Sequence, residues 1–150
     1  MLELGSGDLL AAEVDAFVNA VNCVGVMGKG IALAFKHRFP ENYEAYRAAC
    51  GRGEVQLGRM FVVELASPTP RYIVNFPTKQ HWRSASRLAD VKAGLADLVR
   101  VIDELRIRSV AVPALGAGNG GLSWREVELV IMAALDGLKN VRVVLYPPLT

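Results

Sequence analysis

NAVNCVGVMGKG, residues 19–30, is the stretch of this 150-residue chain that decides its fold. The apolar run Ala16–Val21 leads into it and has the length and composition of a buried β-strand. Glycines follow at positions 25, 28 and 30, and a helix is predicted from about Gly30. Backbone N–H groups at such a turn and at a helix N-terminus bind anions, and glycine lets a ligand approach the main chain closely. The stretch therefore predicts a strand, an anion-binding turn and a helix.

GAGNGG, residues 116–121, is a second glycine-rich turn, between a predicted strand at 110–113 and a predicted helix from Trp124. Two such turns can hold a diphosphate from both sides, which favours a ligand such as ADP or ADP-ribose. Neither turn is a Walker A loop, because Gly30 follows Lys29 where Ser or Thr would bind magnesium. Neither is a dinucleotide-binding fingerprint, since Leu33 stands where the third glycine is required.

Strands alternate with helices along the rest of the chain. Strands are predicted at residues 2–4, 16–21, 60–65, 72–76, 109–112 and 141–146. Helices are predicted at 31–39, 41–50, 88–105 and from Trp124 to near Gly137, the last opening with a capping box, Ser123 to Glu126. This order predicts one three-layer α/β/α domain over residues 1–150, with a mixed, mostly parallel sheet, and leaves open whether a longer protein continues beyond it. Ligands of such sheets bind beyond the carboxyl ends of the strands, so both glycine turns and a turn at 75–79 are expected to share one site.

Composition restricts the class of protein. The hydrophobic fraction of 52% suffices for a core, and the net charge of +2 does not by itself indicate nucleic-acid binding. The two cysteines, Cys23 and Cys50, are expected to be reduced thiols, and no Cys/His cluster has zinc-ligand spacing. The N-terminus lacks the features of a signal peptide, and no apolar run is long enough to span a membrane. We therefore expect a cytoplasmic monomer without a metal, a cofactor or membrane contact.

Four segments resemble the macrodomain family: GDLL at 7–10, NAVN at 19–22, the loop at 25–30 and the loop at 113–121. GVMGKGIA at 25–32 and FPTKQHWR at 76–83 resemble, more narrowly, the DarG antitoxin branch, which is close to the human terminal ADP-ribose protein glycohydrolase. The resemblance implies a macrodomain fold with an ADP-ribose pocket. It also implies removal of ADP-ribose from thymidine bases of single-stranded DNA, and a partner toxin, DarT, that attaches it.

Several side chains of the expected pocket have a structural alternative. Asp8 could accept a hydrogen bond from the adenine amino group, as the resemblance implies, although the local sequence alone favours an N-cap. Asn22 suits the hydroxyls of the distal ribose, but an Asx turn that stabilises its own backbone is equally consistent with the residues. Tyr146 could flank the adenine or pack on the prolines that follow it. The full set of expected ADP-ribose contacts is Asp8, Leu9, Asn22, Gly28, Lys29, Gly30, Ile31, Leu115, Gly116, Ala117, Gly118, Asn119, Gly120 and Tyr146.

Lys79 and Asn22 are the predicted catalytic residues, and Lys79 carries the chemistry. A lysine in a loop is ordinarily solvated and protonated, but partial desolvation at the ligand edge would lower its pKa. A neutral amine could then displace the base through an imine-like intermediate, and the matching lysine is catalytic in the DarG branch. Alternatively, the ammonium could stabilise the departing thymine anion or the phosphates. The sequence does not separate these two roles.

The segment KQHWRSASR, residues 79–87, places cationic side chains around an indole. Cations for phosphates and an aromatic ring for a base are typical of single-strand binding, so His81, Trp82 and Arg83 are the predicted DNA contacts. The alternative is a solvated loop in which Trp82 packs against the long helix.

One departure from the relatives bears on the activity. The human relative has an aspartate in its second loop, and Gly120 stands at the corresponding position here. The missing carboxylate argues against hydrolysis of ADP-ribosyl esters on proteins. Two other functions remain open: a reader that binds ADP-ribose without chemistry, and a phosphatase or deacetylase of free ADP-ribose derivatives. Lys79 distinguishes the enzyme from the reader, because a reader needs the loops but not the amine.

Overall fold

Six β-strands form one sheet in the order β1-β6-β5-β2-β4-β3 within residues 2–148, the part of the chain that the computed structural model describes. Neighbouring strands run parallel except β3 and β4, which are antiparallel. The predicted mixed, mostly parallel sheet is therefore confirmed. The strands are β1 (Leu2–Leu4), β2 (Ala16–Asn22), β3 (Phe61–Glu64), β4 (Tyr72–Lys79), β5 (Ser109–Val112) and β6 (Arg142–Leu145).

Four α-helices and a short 3₁₀ turn complete the described chain, close to the predicted positions. The longest helix buries one apolar stripe, as its spacing predicts. Pro40 is the first residue of the second helix, where its missing N–H costs nothing. Within residues 2–148 no helix has both the length and the apolar composition needed to cross a bilayer. The bounds are Leu9–Ala11 for the 3₁₀ turn, and Gly30–Arg38 (α1), Pro40–Gly51 (α2), Leu88–Glu104 (α3) and Trp124–Leu135 (α4) for the helices.

Alternation of side chains along β2 divides the core between the two faces of the sheet. Ala16 and Val18 join the large core under α3 and α4. Phe17 points to the other face and packs edge-on against Phe35 of α1, with ring centroids 6.0 Å apart. The sheet therefore lies between two helical layers, and the predicted three-layer architecture is confirmed.

The carboxyl ends of the parallel strands bring the glycine-rich segments to one edge. We call residues 23–30, which follow β2, the first glycine loop, and residues 113–121, which follow β5, the second glycine loop. β5 pairs with β2 and β2 pairs with β4, so both loops begin at the same edge of the sheet as the end of β4. The predicted common edge is thus observed.

The predicted turn at residues 75–79 is wrong, because these residues extend β4 to Lys79. Pro77 lies within this extension, although proline cannot donate a ladder hydrogen bond. The pairing of β3 with β4 reaches no further than Asn75, so at Pro77 β4 retains only β2 as a neighbour. A missing donor is tolerated at such an edge. Lys79 consequently lies at the end of a strand of the sheet rather than in a loop.

The side-chain hydrogen bond predicted for the capping box at the start of α4 is not observed, so this prediction is also wrong. Ser123 does occupy the N-cap position with an extended backbone, but its side chain makes no capping hydrogen bond. The helix begins where the sequence predicted, because its apolar face is buried through Val127, Ile131 and Leu135. Packing on the sheet, rather than the cap, therefore fixes this helix.

Candidate functional site

The two glycine loops touch each other. Gly30 opens α1 with φ +56°, a conformation that side chains rarely adopt. A Cβ at Gly30 would lie 2.9 Å from Nδ2 of Asn119 in the second glycine loop. The absence of a side chain at Gly30 thus allows the loops to close around one space, as a ligand held from both sides requires. Lys29, directly before Gly30, is exposed and forms no ion pair within residues 2–148.

Asn22 shapes the first glycine loop from within. Its Oδ1 accepts hydrogen bonds from the backbone N–H groups of Val24 (3.1 Å) and Val26 (3.4 Å), and its Nδ2 donates to the carbonyl of Val26 at 2.8 Å. This is the Asx-type turn that was the alternative to ribose binding. The amide side chain is 95% buried and already has internal partners, so its contact with a ribose stays a prediction.

Tyr46 of α2 anchors that turn, and the sequence analysis did not identify it. Its hydroxyl lies 2.7 Å from the carbonyl oxygen of Asn22 and 2.8 Å from Oδ1 of Asn22. The ring is fully buried, and this burial raises the pKa of the phenol, which keeps the hydroxyl protonated as a donor. The only signal in the sequence was the spacing of Asn42, Tyr46 and Ala49 on one helix face, which also describes an ordinary core residue.

Lys79 lies where the two loops and the end of β4 meet. It pairs in register with Asn22, and its Nζ donates hydrogen bonds to the carbonyls of Trp82 (3.1 Å) and Asn119 (3.5 Å). An ammonium has three protons, so these contacts leave one for a ligand. The structure therefore brings together Lys79, the predicted DNA-contact segment and the second glycine loop.

Ser86 packs against the second glycine loop, and it was not predicted from the sequence. Its N–H donates to the carbonyl of Gly120 at 2.9 Å. Its hydroxyl is buried, with no hydrogen-bond partner among the described residues. A Cβ on Gly120 would collide with this hydroxyl and with the carbonyl of Gly116, so the backbone path admits only glycine there. The aspartate of the human relative consequently cannot be accommodated at Gly120 without a change in the loop.

The other predicted residues of the second glycine loop differ in exposure. Leu115 is fully buried in the core, so only its main chain can face a ligand. Ala117 is half-buried against that core. Gly118 is open, since a Cβ there would meet nothing within 4 Å. The loop therefore offers a ligand mainly its backbone.

Of the residues predicted for the adenosine end, Asp8 follows β1 and Tyr146 follows β6, and these two strands are parallel neighbours. Asp8 caps the 3₁₀ turn, with Oδ1 accepting from the N–H of Leu10 at 3.0 Å, which is the structural alternative stated above. The ring of Tyr146 covers Gly5, where a Cβ would come within 2.6 Å of it. Leu9 is buried, and Ile31 is partly buried against the same cluster. Their contacts with adenosine stay predictions.

An open groove of about 690 Å³ runs beside the 3₁₀ turn, from Asp8 to Pro70. Neither glycine loop lines it, and Pro70 precedes the amino end of β4. The groove therefore extends away from Lys79, and we assign the candidate site to the loops, where the chemical groups converge.

Trp82 is 44% exposed at the mouth of the site. The guanidinium carbon of Arg83 lies 4.6 Å from the centroid of the Trp82 ring, and the ring centroids of His81 and Trp82 are 5.1 Å apart with an interplanar angle of 31°. The N–H of Arg83 donates to Nδ1 of His81 at 3.1 Å, which orders the segment. The three side chains thus form one exposed cationic and aromatic cluster beside Lys79. Trp82 is not among the side chains packed on the large core.

Comparison with known proteins identifies the family of this chain. The family model described as Macro domain matches residues 18–131. A protein of Mycobacterium tuberculosis named DNA ADP-ribosyl glycohydrolase is 59% identical over 149 residues, which cover 99% of this chain and 42% of the relative. A Thermus aquaticus protein of the same name is 58% identical over 149 residues, covering 99% and 41%. This chain thus spans about two fifths of the curated relatives it matches.

Solved structures agree with these relatives. The macrodomain of Mycobacterium tuberculosis DarG superimposes with a TM-score of 0.97 at 59% identity, covering 99% of each chain. A Thermosipho africanus protein, named a DNA ADP-ribosyl transferase–DNA ADP-ribosyl glycohydrolase fusion, is 32% identical. Its structure, DarTG in complex with ADP-ribose, has a TM-score of 0.91 and covers 97% of this chain and 41% of that one. The resemblance inferred from the sequence is confirmed: this chain belongs to the macro domain family.

Proposed function

We propose that this chain is the macrodomain of a DNA ADP-ribosyl glycohydrolase, which removes ADP-ribose from thymidine bases of single-stranded DNA. Two relatives that carry this activity in their names are 58% and 59% identical over 149 residues. The observation that carries the proposal is the position of Lys79, whose Nζ donates to the second glycine loop and to the exposed Trp82 segment, while its backbone pairs with Asn22 at the start of the first loop. A protein that only reads ADP-ribose has no need for an amine there.

Lys79 can act in either of two ways. In the covalent route the neutral amine attacks the anomeric carbon of the distal ribose, and the bond from that carbon to the thymine nitrogen breaks. The thymine leaves with the bonding electrons and takes a proton, the sugar opens to an imine on Nζ, and water then releases ADP-ribose and the free amine. In the electrostatic route the ammonium stays protonated and stabilises the departing thymine anion. In the ligand-free arrangement Nζ contacts the carbonyls of Trp82 and Asn119, and these contacts are compatible with both routes, because an amine and an ammonium can each donate two hydrogen bonds.

The remaining parts of the proposal rest on the relatives and on the sequence. The fusion of transferase and glycohydrolase in one relative supports a DarT-type DNA ADP-ribosyl transferase as the toxin that this activity counteracts. We propose that residues 1–150 act as a single macrodomain, as a cytoplasmic monomer. The predicted contacts of His81, Trp82 and Arg83 with DNA belong to the same proposal.

The test uses a single-stranded oligonucleotide that carries one ADP-ribosylated thymine. We expect Lys79→Ala to lower the rate of ADP-ribose release by at least about 100-fold, the scale of a lost catalytic group, while binding of free ADP-ribose changes little. Lys79→Arg keeps the positive charge but not a nucleophilic amine, so residual release by this variant would favour the electrostatic route. Lys139→Ala is the control, since Lys139 is exposed between α4 and β6 at the opposite edge. If the wild type binds ADP-ribose tightly but releases none from the oligonucleotide, the chain is a reader of ADP-ribose and not a glycohydrolase.

A further inference from the structure

The first glycine loop exposes apolar side chains next to α2, which packs on one face of the sheet, whereas the Trp82 segment leads into α3 on the other face. Val24 is 44% exposed and Val26 is 40% exposed. Both follow directly from the end of β2, where the N–H of Cys23 donates to the carbonyl of Gln80 at 3.1 Å. Because they are this exposed, the two valines contribute little to the hydrophobic core. They add an exposed apolar surface on the α2 side of the sheet, directly after Asn22, the partner of Lys79 in the strand pairing.

Arg47 of α2 lies against the same loop. A Cβ at Gly25 would be 3.7 Å from Cα and from Cγ of Arg47, and Gly25 has φ +86°. The aliphatic part of the arginine thus packs across a glycine, while the residue as a whole is exposed. Within residues 2–148 its guanidinium forms no ion pair. A cation is therefore available for an anionic ligand next to Val24.

Lys79 consequently lies at the end of a strand of the sheet that separates two surfaces of similar chemistry. On one side Arg83 and the 44%-exposed Trp82 combine a cation with an apolar ring. On the other side Arg47 combines a cation with exposed valines. A nucleotide inside a DNA strand has a neighbour on both its 5′ and its 3′ side, so the strand must leave the reaction centre in two directions. The predicted contacts at His81–Arg83 account for only one of them.

We propose that Val24, Val26 and Arg47 form a second single-strand DNA surface, which receives the flank opposite to the one at Trp82. This inference rests on the proposed function and adds the path of the strand. Arg47 neutralises a backbone phosphate, and the valines cover the apolar face of the adjacent sugar or base. Each side of the reacting position offers one cation and one apolar surface. A DNA strand repeats a phosphate and a base at every nucleotide, so it fits this repeated pair better than a protein partner does.

One-sided substrates test the path directly. Release of ADP-ribose is measured from an ADP-ribosylated thymidine nucleoside, from oligonucleotides with only a 5′ or only a 3′ extension, and from a strand extended on both sides. We expect Arg47→Ala to raise KM severalfold for one of the one-sided oligonucleotides and for the full strand, with the nucleoside unchanged. Arg83→Ala should affect the other one-sided oligonucleotide. Arg108→Ala is the matched control, because Arg108 is exposed just before β5, at the opposite edge, with no ion pair within residues 2–148.

Binding of an unmodified oligothymidylate provides a readout that does not need the chemistry. The slope of log K against log salt should become shallower by about 0.7 in Arg47→Ala, the contribution of one phosphate on a single strand. An Arg47→Ala variant that behaves like Arg108→Ala on every oligonucleotide would overturn the proposal. So would an equal loss of affinity for free ADP-ribose, which would assign Arg47 to the diphosphate. If the wild type releases nothing from any substrate, the proposed function fails, whereas the salt slope still decides on the surface.

Discussion

Removing the hydroxyl of Tyr46 should loosen the first glycine loop, because this one group connects α2 to both oxygens of Asn22. The perturbation is Tyr46→Phe, which deletes a single oxygen and keeps the ring that fills the cluster between α2 and the loop. The side chain is fully buried, so water cannot replace the lost donor without opening the structure. The variant therefore isolates the hydrogen bonds from the packing.

The size of this destabilisation depends on the hydrogen-bond partners that Asn22 retains in the variant. A hydrogen bond of this kind stabilises by about 1 kcal/mol net, and a buried acceptor left without a donor costs about 1–3 kcal/mol. Oδ1 of Asn22 retains two backbone donors, from Val24 and Val26, so its own loss is partly compensated. We therefore expect the free energy of unfolding to fall by about 2 kcal/mol, which lowers Tm by about 4–8 °C in a chain of this size.

Urea unfolding and a thermal melt measure this change, with Tyr43→Phe as the control. Tyr43 lies on the same helix but is partly exposed, and its ring contact is with Lys36 on the surface. We expect that control to remain within about 0.5 kcal/mol of the wild type. Equal midpoints for Tyr46→Phe and Tyr43→Phe would refute the reasoning, since the hydroxyl would then contribute nothing to the loop. Amide exchange of Val24 and Val26 should also accelerate in Tyr46→Phe alone.

Two further predictions concern the second glycine loop and the thiols. Gly120→Ala should lower the free energy of unfolding by roughly 1–3 kcal/mol through its clash with the Ser86 hydroxyl and the Gly116 carbonyl. Gly118→Ala should be neutral, because no atom lies within 4 Å of its Cβ position. Urea midpoints compare the two, and equal values would contradict this steric account. Burial raises the pKa of the Cys23 thiol from 9.0 to about 11, so its stabilising effect is complete below pH 9 and is lost as pH rises towards 11. Urea unfolding between pH 8 and 11 should show a decline of about 2 kcal/mol that is reduced in Cys23→Ala, and an unchanged decline in that variant would exclude Cys23 as its source.

The sequence predicted the order of strands and helices because periodicity and turn residues are local signals. β2, β5 and α1 begin or end within a residue of their predicted bounds. β4 was predicted too short, because the tolerance of Pro77 depends on where β3 stops pairing. That information is absent from the residues around Pro77 themselves.

For the same reason, some residues of the candidate site were predicted from the sequence and others were missed. The glycine loops and Lys79 could be identified from motifs, since their residue types are tied to a fixed strand–turn–helix context. Tyr46 and Ser86 were missed, because each acts on a loop distant in sequence through one buried hydroxyl or N–H. The local alternatives for Asp8 and Asn22 proved to be the observed contacts, as short polar side chains readily bond to nearby backbone.

The sequence by itself thus determined the macrodomain family, the alternation of elements and the residue types available for anion binding and for a lysine-dependent reaction. Only the tertiary structure decided that Gly30 meets Asn119, that Lys79 reaches the carbonyls of Trp82 and Asn119, and that Arg47 lies across Gly25. The physical reason is the range of the interactions. Periodicity, glycine conformation and turn chemistry act over a few residues, whereas these contacts join segments up to 89 positions apart and exist only after the parallel strands align their carboxyl ends.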